Sequence, residues 1–328
     1  MKEHLKFLLW AIGVGVGFST LSELSIAAQA PYPNKPIRVI VASAPGGPND
    51  LVARVVAAPW SELLGRPIVI DNRAGAAGVI GSELVARAPA DGYTLLVGFP
   101  GPLIIAPLLN ETAPYDTAKD FAPVSLAVAA PFVLLVHPAV PAKSVKELVA
   151  LALARPGKIN YASGGTGNAS HLAMELLNHV TGTRMVHVPY KGAGPAMTAL
   201  MAAEADALFV ALGPALPFIK TEKVRALALG GEKRSPLVPN LPTISESGYR
   251  VNASSWYGIL VPRATPRAIV GRLHATLTQT LQTPQMKARL TDMAFDVIGS
   301  TPEEFAKLIR EEMATWATII NAAGLKGK

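Results

Sequence analysis

The chain has 328 residues, a formal charge of +7, 16% charged residues, 28 glycines, 28 prolines and no cysteine. The missing cysteines exclude thiolate metal sites, cysteine nucleophiles and disulfides, and leave the chain compatible with an oxidising compartment. Its positive charge is spread out, with no dense Lys/Arg stripe and no helix-turn-helix or RNA-motif signature, so nucleic acid is not an expected partner.

Residues 1–30 read as a cleavable export leader. Lys2 and Lys6 form a basic start, an apolar run extends from Phe7 to Phe18, and Ala28-Gln29-Ala30 fits a small-residue cleavage site. The run is short for a bilayer crossing, which needs roughly 20 residues; an uncleaved anchor is the alternative. The mature chain would begin at Pro31.

Downstream, strand-like and helix-like segments alternate. Strands are expected at 37–41, 68–72, 95–98, 132–137, 159–161, 185–188, 207–211, 226–229 and 255–261. Helices are expected at 50–64, 77–87, 144–154, 170–181, 193–203, 266–281, 284–293 and 302–323. Several strands are continuously apolar, as in a sheet covered on both faces, and the alternation predicts an α/β architecture with mainly parallel strands flanked by helices. Ser144 followed by Glu147, and Thr301 by Pro302 and Glu304, read as capping boxes. The length suits two domains. Crossovers at the proline-containing stretch 120–131 and at 252–257 would make a discontinuous first lobe from 31–131 and 256–328, with 132–255 inserted as the second lobe.

Two segments share one plan of apolar strand, glycine-rich turn and helix start. The first turn is Ala44-Pro45-Gly46-Gly47-Pro48-Asn49-Asp50, with Asn49 or Asp50 expected to cap a helix beginning at Leu51. The second is Ser163-Gly164-Gly165-Thr166-Gly167-Asn168-Ala169-Ser170-His171. Each would aim unpaired backbone N–H groups and a positive helix end at one point, which makes an anion site. Both follow strand carboxyl ends, where open α/β sheets bind ligands. An ordinary tight βα turn is the plainer reading of the first. Gly98, after another strand, and Tyr190-Lys191-Gly192 would add loops to the same pocket; Lys191 either neutralises a carboxylate or is a solvated turn lysine.

Other chemistries fit poorly. The second turn lacks the last small residue of a dinucleotide fingerprint, and no Gly-Lys-Ser/Thr makes a phosphate loop. A hydrolase using Ser163 or Ser170 with His171 lacks the G-x-S-x-G elbow and a third residue to orient the ring. A hydrogen bond from His171 within its own loop is the simpler expectation. The six histidines form no H-x-x-x-H pair, so neither metal nor cofactor is expected. Trp256, Tyr257, Phe305 and Trp316 are expected to pack, and Glu311-Glu312 to lie on an exposed helix face.

Further residues carry a family resemblance: Tyr32-Pro33-Asn34-Lys35-Pro36-Ile37-Arg38, Ala44-Pro45-Gly46-Gly47, Asn72-Arg73-Ala74-Gly75-Ala76, Asp91-Gly92-Tyr93-Thr94-Leu95-Leu96, Pro156-Gly157-Lys158-Ile159-Asn160-Tyr161-Ala162-Ser163-Gly164, Val188-Pro189-Tyr190-Lys191-Gly192 and Leu241-Pro242-Thr243-Ile244. Across nearly the whole mature chain the sequence resembles the periplasmic substrate-binding proteins of tripartite tricarboxylate transporters, the Bug receptors. The resemblance implies a two-lobed periplasmic-binding-protein type II fold that closes like a flytrap on a small carboxylate, performs no catalysis and delivers its ligand to a membrane permease. A sensor subunit signalling to a membrane protein is the alternative, and a monomer is expected. It also implies that the 44–50 and 163–171 loops hold the carboxylate. Two departures stand out. Pro48 replaces the small hydroxyl residue usual after the paired glycines, and Val210 stands where many members carry aspartate. Without that carboxylate a ligand ammonium loses its partner, so an amino-free ligand with some apolar surface is expected.

Overall fold

The computed structural model describes residues 32–109, 113–166, 168–190 and 192–322. The expected leader, Gly167 and Lys191 lie outside them.

The chain runs β1 (Ile37–Val41), α1 (Pro48–Leu64), β2 (Ile68–Asn72), α2 (Val79–Ala86), β3 (Thr94–Gly98), a π-helical turn (Gly101–Ile105), α3 (Ala106–Leu109), α4 (Thr117–Asp120) and β4 (Phe121–Val136). It continues through α5 (Val145–Ala154), β5 (Asn160–Ser163), α6 (Ala169–Thr181), β6 (Val186–Pro189), α7 (Ala193–Met201), β7 (Ala207–Ala211), α8 (Leu212–Lys220) and β8 (Arg225–Leu229). Last come β9 (Ser254–Pro262), α9 (Arg267–Gln282), α10 (Pro284–Asp292), β10 (Asp296–Val297) and α11 (Pro302–Ala322).

The strands order as β2-β1-β3-β9-β4-β7-β5-β6, with β8 and β10 also paired to β4. Outer groups β2-β1-β3 and β7-β5-β6 are parallel, as the continuously apolar strands predict. The centre differs: β9 is antiparallel to β3 and β4, and β4 is antiparallel to β7, because these long strands carry the chain between the two outer groups.

Each half is covered on both faces. Around β1 and β3, Ile37, Val39 and Val41 pack with Trp60 of α1 and Leu273 and Leu277 of α9, while Ile40 and Leu96 face Leu103, Phe305 and Ile309. Around β5 and β7, Tyr161 and Phe209 pack with Leu148 of α5 and Leu177 of α6; Ala162 and Val210 face Met197 of α7 and Ala215 of α8. Trp60 is buried with its Nε1 donating to Thr276 Oγ1 at 2.9 Å, so the large ring is buried without an orphaned donor.

β4 joins the halves. Residues 121–131 pair with β9, and residues 132–136 pair with β7. The proline-containing stretch is thus strand from Phe121 onward. Pro123 sits beside a register shift and Pro131 at the change of partner, two places where a missing N–H is tolerated.

This register aims the outer strands at one another. β3 runs in the same direction as β4, and Gly98 is level with Leu126 through Gly258. β7 runs against β4, and its last residue, Ala211, is level with Phe132. The two sets of strand carboxyl ends thus point toward each other along β4, separated by roughly 20 Å of strand at about 3.3 Å per residue.

Other differences have local causes. α2 starts at Val79 because Gly75, Ala76, Ala77 and Gly78 all have positive φ. α8 carries Pro217 inside it, which hides it from pattern reading. Thr301 and Glu304 make the full reciprocal box, at 2.9 and 3.2 Å. Glu147 instead accepts the Lys143 N–H, one residue earlier than a capping box requires, while Ser144 caps as expected. Glu311 is exposed, but Glu312 is turned inward and accepts Trp256 Nε1 at 2.8 Å. No described helix is long and apolar enough to cross a membrane.

Candidate ligand-binding site

α1 begins at Pro48, three residues before the expected start. Gly47 is its N-cap without a side-chain bond, and neither Asn49 nor Asp50 caps it. Proline is accommodated at the first helical position because that N–H would have no helical partner anyway. Asp50 turns back instead. Its Oδ2 accepts the Gly46 N–H and Arg54 Nε, both at 2.9 Å, and its Oδ1 accepts Asn72 Nδ2 at 3.0 Å. Asn72, ending β2, also donates to Ser43 O at 3.2 Å. These bonds, Arg54 foremost, hold the Asp50 carboxyl down to about 2. Arg54 is half-exposed and offsets the like charge that an incoming anion meets at Asp50.

The Gly46 N–H is thus taken internally, contrary to the expectation of free turn amides. Two other polar atoms here, Ser43 Oγ and Asn49 Nδ2, are buried and find no hydrogen-bond partner among the described residues. A buried unpaired donor costs about 1–3 kcal/mol.

The second turn closes on itself in the same way. The Gly164 N–H donates to Ser170 Oγ at 2.9 Å and the Gly165 N–H to Ser163 Oγ at 3.1 Å. Asn168 caps α6, accepting the Ser170 N–H and hydroxyl, both at 2.9 Å. Gly165 has φ +128°, which side chains rarely adopt. Thr166 and Asn168 are exposed, whereas Ser163 and His171 are buried.

Ser163 pairs with a histidine, but not the expected one. Its Oγ lies 2.5 Å from Nε2 of His187, a β6 residue opposite Tyr161 in the register. His187 stacks on His171 with ring centroids 3.8 Å apart and on Tyr161 at 5.2 Å. The Tyr161 hydroxyl donates to Glu175. Burial, then the neighbouring ring, pushes His171 down to about 4; burial also lowers His187. Ser170 Oγ is engaged by Asn168 and Gly164. The Ser–His171 pairing of the hydrolase reading is therefore replaced by a half-buried Ser163–His187 contact.

The remaining predicted residues scatter. Ala44, Pro45 and Gly46 are exposed at the first turn, with Gly47 half-buried. Gly98 is packed: a Cβ there would lie 2.4 Å from Leu260 Cδ1 and 2.5 Å from Leu103 Cδ1. Tyr190 is tied by its N–H to Ser163 O at 3.0 Å and by its hydroxyl to Glu204 at 3.4 Å. Val210 is buried against Val133 and Ala162. Arg54, Asn72 and His187 contact the predicted turn residues, and Ser43 adjoins them, but none is among the residues expected from sequence. Only the neighbouring glycine turn signals Ser43, and His187 has no local signal.

The model of the Tripartite tricarboxylate transporter family receptor matches residues 52–325. The chain belongs to this family. It is 33% identical to Protein BugT of Bordetella pertussis, over 96% of this chain and 97% of the relative. Among solved structures it is similar to an R. palustris protein with adipate (TM-score 0.77, 33% identity, 89% of this chain and 98% of that one). It is also similar to MatC from Rhodopseudomonas palustris with bound malate (TM-score 0.73, 33% identity, 88% and 100% coverage). The protein is thus a solute receptor of the tripartite tricarboxylate type, a family of periplasmic binding proteins.

Proposed function

We propose that the receptor captures a small organic carboxylate between two lobes, 31–131 with 256–328 and 132–255, and delivers it to a membrane permease of the tripartite tricarboxylate type. The observation that carries this reading is the pair of orphaned buried atoms, Ser43 Oγ and Asn49 Nδ2, at the carboxyl end of β1. A carboxylate has the acceptors to satisfy both, beside a helix N-terminus that favours negative charge. The opposed strand ends supply a cleft, and the turn at 163–171 supplies its far wall, with Thr166 and Asn168 exposed to it. Relatives crystallised with adipate and malate support the ligand class. The leader at residues 1–30 exports the chain, and binding with release is its whole task, with no chemical step.

Each charge-assisted hydrogen bond contributes about 1.5–3 kcal/mol, so three or four reach the roughly −8 kcal/mol of a micromolar site after association costs. The ligand carries no amino group, because the strand end that includes Val210 offers an ammonium no carboxylate. The test is a thermal-shift screen of the exported protein against mono- and dicarboxylates, repeated with Asn49→Ala. Ligand at a hundred times Kd adds about 2.7 kcal/mol. Stabilisation that vanishes in N49A supports the site; the same shift in both proteins refutes it.

A further inference from the structure

Resting on that reading of the 163–171 turn, a second role falls to a residue that no turn motif includes. We propose that His187 is the positioning residue of this turn: its bare Nε2 takes the Ser163 hydroxyl hydrogen and so fixes Ser163 Oγ as the acceptor of the Gly165 amide, and protonation of the ring reverses that hydrogen bond and resets the turn.

Among the described residues Ser163 Oγ has three polar neighbours: His187 Nε2 at 2.5 Å, Gly165 N at 3.1 Å and Gly165 O at 3.2 Å. A hydroxyl has one hydrogen to give. While Nε2 is bare the hydrogen goes there, and the oxygen accepts the Gly165 N–H. Once Nε2 carries a proton, it donates to Oγ, and the hydroxyl hydrogen turns to Gly165 O. That carbonyl already accepts the Asn168 N–H at 3.1 Å. Asn168 is the N-cap of α6, so the reversal reaches the exposed part of the turn.

The surroundings favour the neutral ring. His187 lies face to face with His171 at an interplanar angle of 14°, and His171 is 2% exposed, so a charge on either ring is desolvated and faces an aromatic neighbour. From α6, the titratable groups toward the stack are His171 and Glu175; the carboxylate of Glu175 is engaged by the Tyr161 hydroxyl and, at 3.4 Å, by Asn178 Nδ2. From β5 it is Tyr161 alone, whose ring centroid lies 5.2 Å from that of His187 and 6.2 Å from that of His171. Asp206, before β7, is bound to the Asn160 N–H, and Glu204 accepts the Tyr190 hydroxyl. His179, two turns along α6 from His171, is exposed.

The test is NMR of the ¹⁵N-labelled, ligand-free receptor between pH 8 and pH 4. At pH 7.5 His187 should show a hydrogen on Nδ1 and none on Nε2. On acidification the Gly164 and Gly165 amide shifts should follow the His187 titration, while amides of β1 stay still. Ser163→Ala should quicken Gly165 amide exchange at least tenfold. His187→Gln, which keeps an acceptor but cannot titrate, should abolish the pH response of both glycines. A hydrogen on Nε2 at neutral pH, or glycine amides indifferent to the titration of His187 in the wild-type receptor, overturns the proposal even where a variant fails to fold. No ligand enters the measurement, so its failure removes the His187 role alone. Coupled glycine amides in a receptor that binds no carboxylate would instead remove the reading of the site.

Discussion

Trp256 Nε1 donates to Glu312 Oε2 at 2.8 Å, joining the middle of the sheet to α11. Burial pushes the Glu312 carboxyl up to about 7, and the indole only partly opposes the shift. An acid raised above its unfolded value binds the extra proton in the folded state, so stability falls as pH rises between about 4.5 and 7. The expected loss approaches about 3 kcal/mol, at about 1.4 kcal/mol per pH unit. Chemical denaturation of the wild type and of Glu312→Gln at pH 5 and pH 8 measures it by difference. Glu312→Gln should flatten the difference and be more stable than wild type at pH 8.

His171 gives the opposite slope over an overlapping window. Its ring is held neutral in the fold down to about 4, whereas an unfolded histidine protonates near 6.5. The unfolded chain therefore binds the extra proton between these values, and stability declines as pH falls through that window. His171→Phe, which keeps a flat ring against His187, should remove most of that decline in denaturation curves between pH 7 and pH 4.

Asp50 predicts an effect confined to the first turn. Asp50→Asn keeps the size but removes the charge that Arg54 and the Gly46 N–H engage, at a cost of about 1–3 kcal/mol. Because the carboxyl is held down to about 2, this difference should stay constant from pH 8 to about pH 4 and shrink only as pH falls toward 2. Carboxylate affinity should fall with it, read by titration calorimetry.

Two glycines separate folding from binding. Gly98→Ala drives a methyl into Leu260 and Leu103, an overpacking that costs about 1–3 kcal/mol of stability. Gly165→Ala meets nothing closer than Tyr190 O at 3.4 Å, but must adopt φ +128° or move the turn. Thermal melts should show the larger loss for G98A at the packed strand end, and carboxylate titrations the larger loss for G165A.

An amino-free ligand predicts an ordering among matched acids. Succinate or glutarate should stabilise the receptor more than aspartate or glutamate at equal concentration. Tighter binding of the amino acids would remove the argument from Val210.

Much of the molecule was legible because it is written locally. Strand–turn–helix alternation, both glycine turns and the Ser144 and Thr301 caps depend on neighbours a few residues away. Glu312 shows where that reading stops: in a helix repeat it belongs with exposed Glu311, and only packing of α11 on β9 turns it inward. The prolines of 120–131 mask a strand in the sequence, and only sheet register shows where their missing N–H groups do no harm.

The sequence by itself determined the α/β class, the family and the two turns that point to an anion, since apolar period and turn chemistry are properties of short segments. Tertiary structure alone decided that the strand ends oppose one another along β4, that Asp50 folds back on Gly46, and that Ser163 meets His187 instead of His171. The partner of Ser163 is 24 residues away and reaches it through the pairing of β5 with β6. Such contacts follow from strand register and burial, which join residues that no short-range pattern connects.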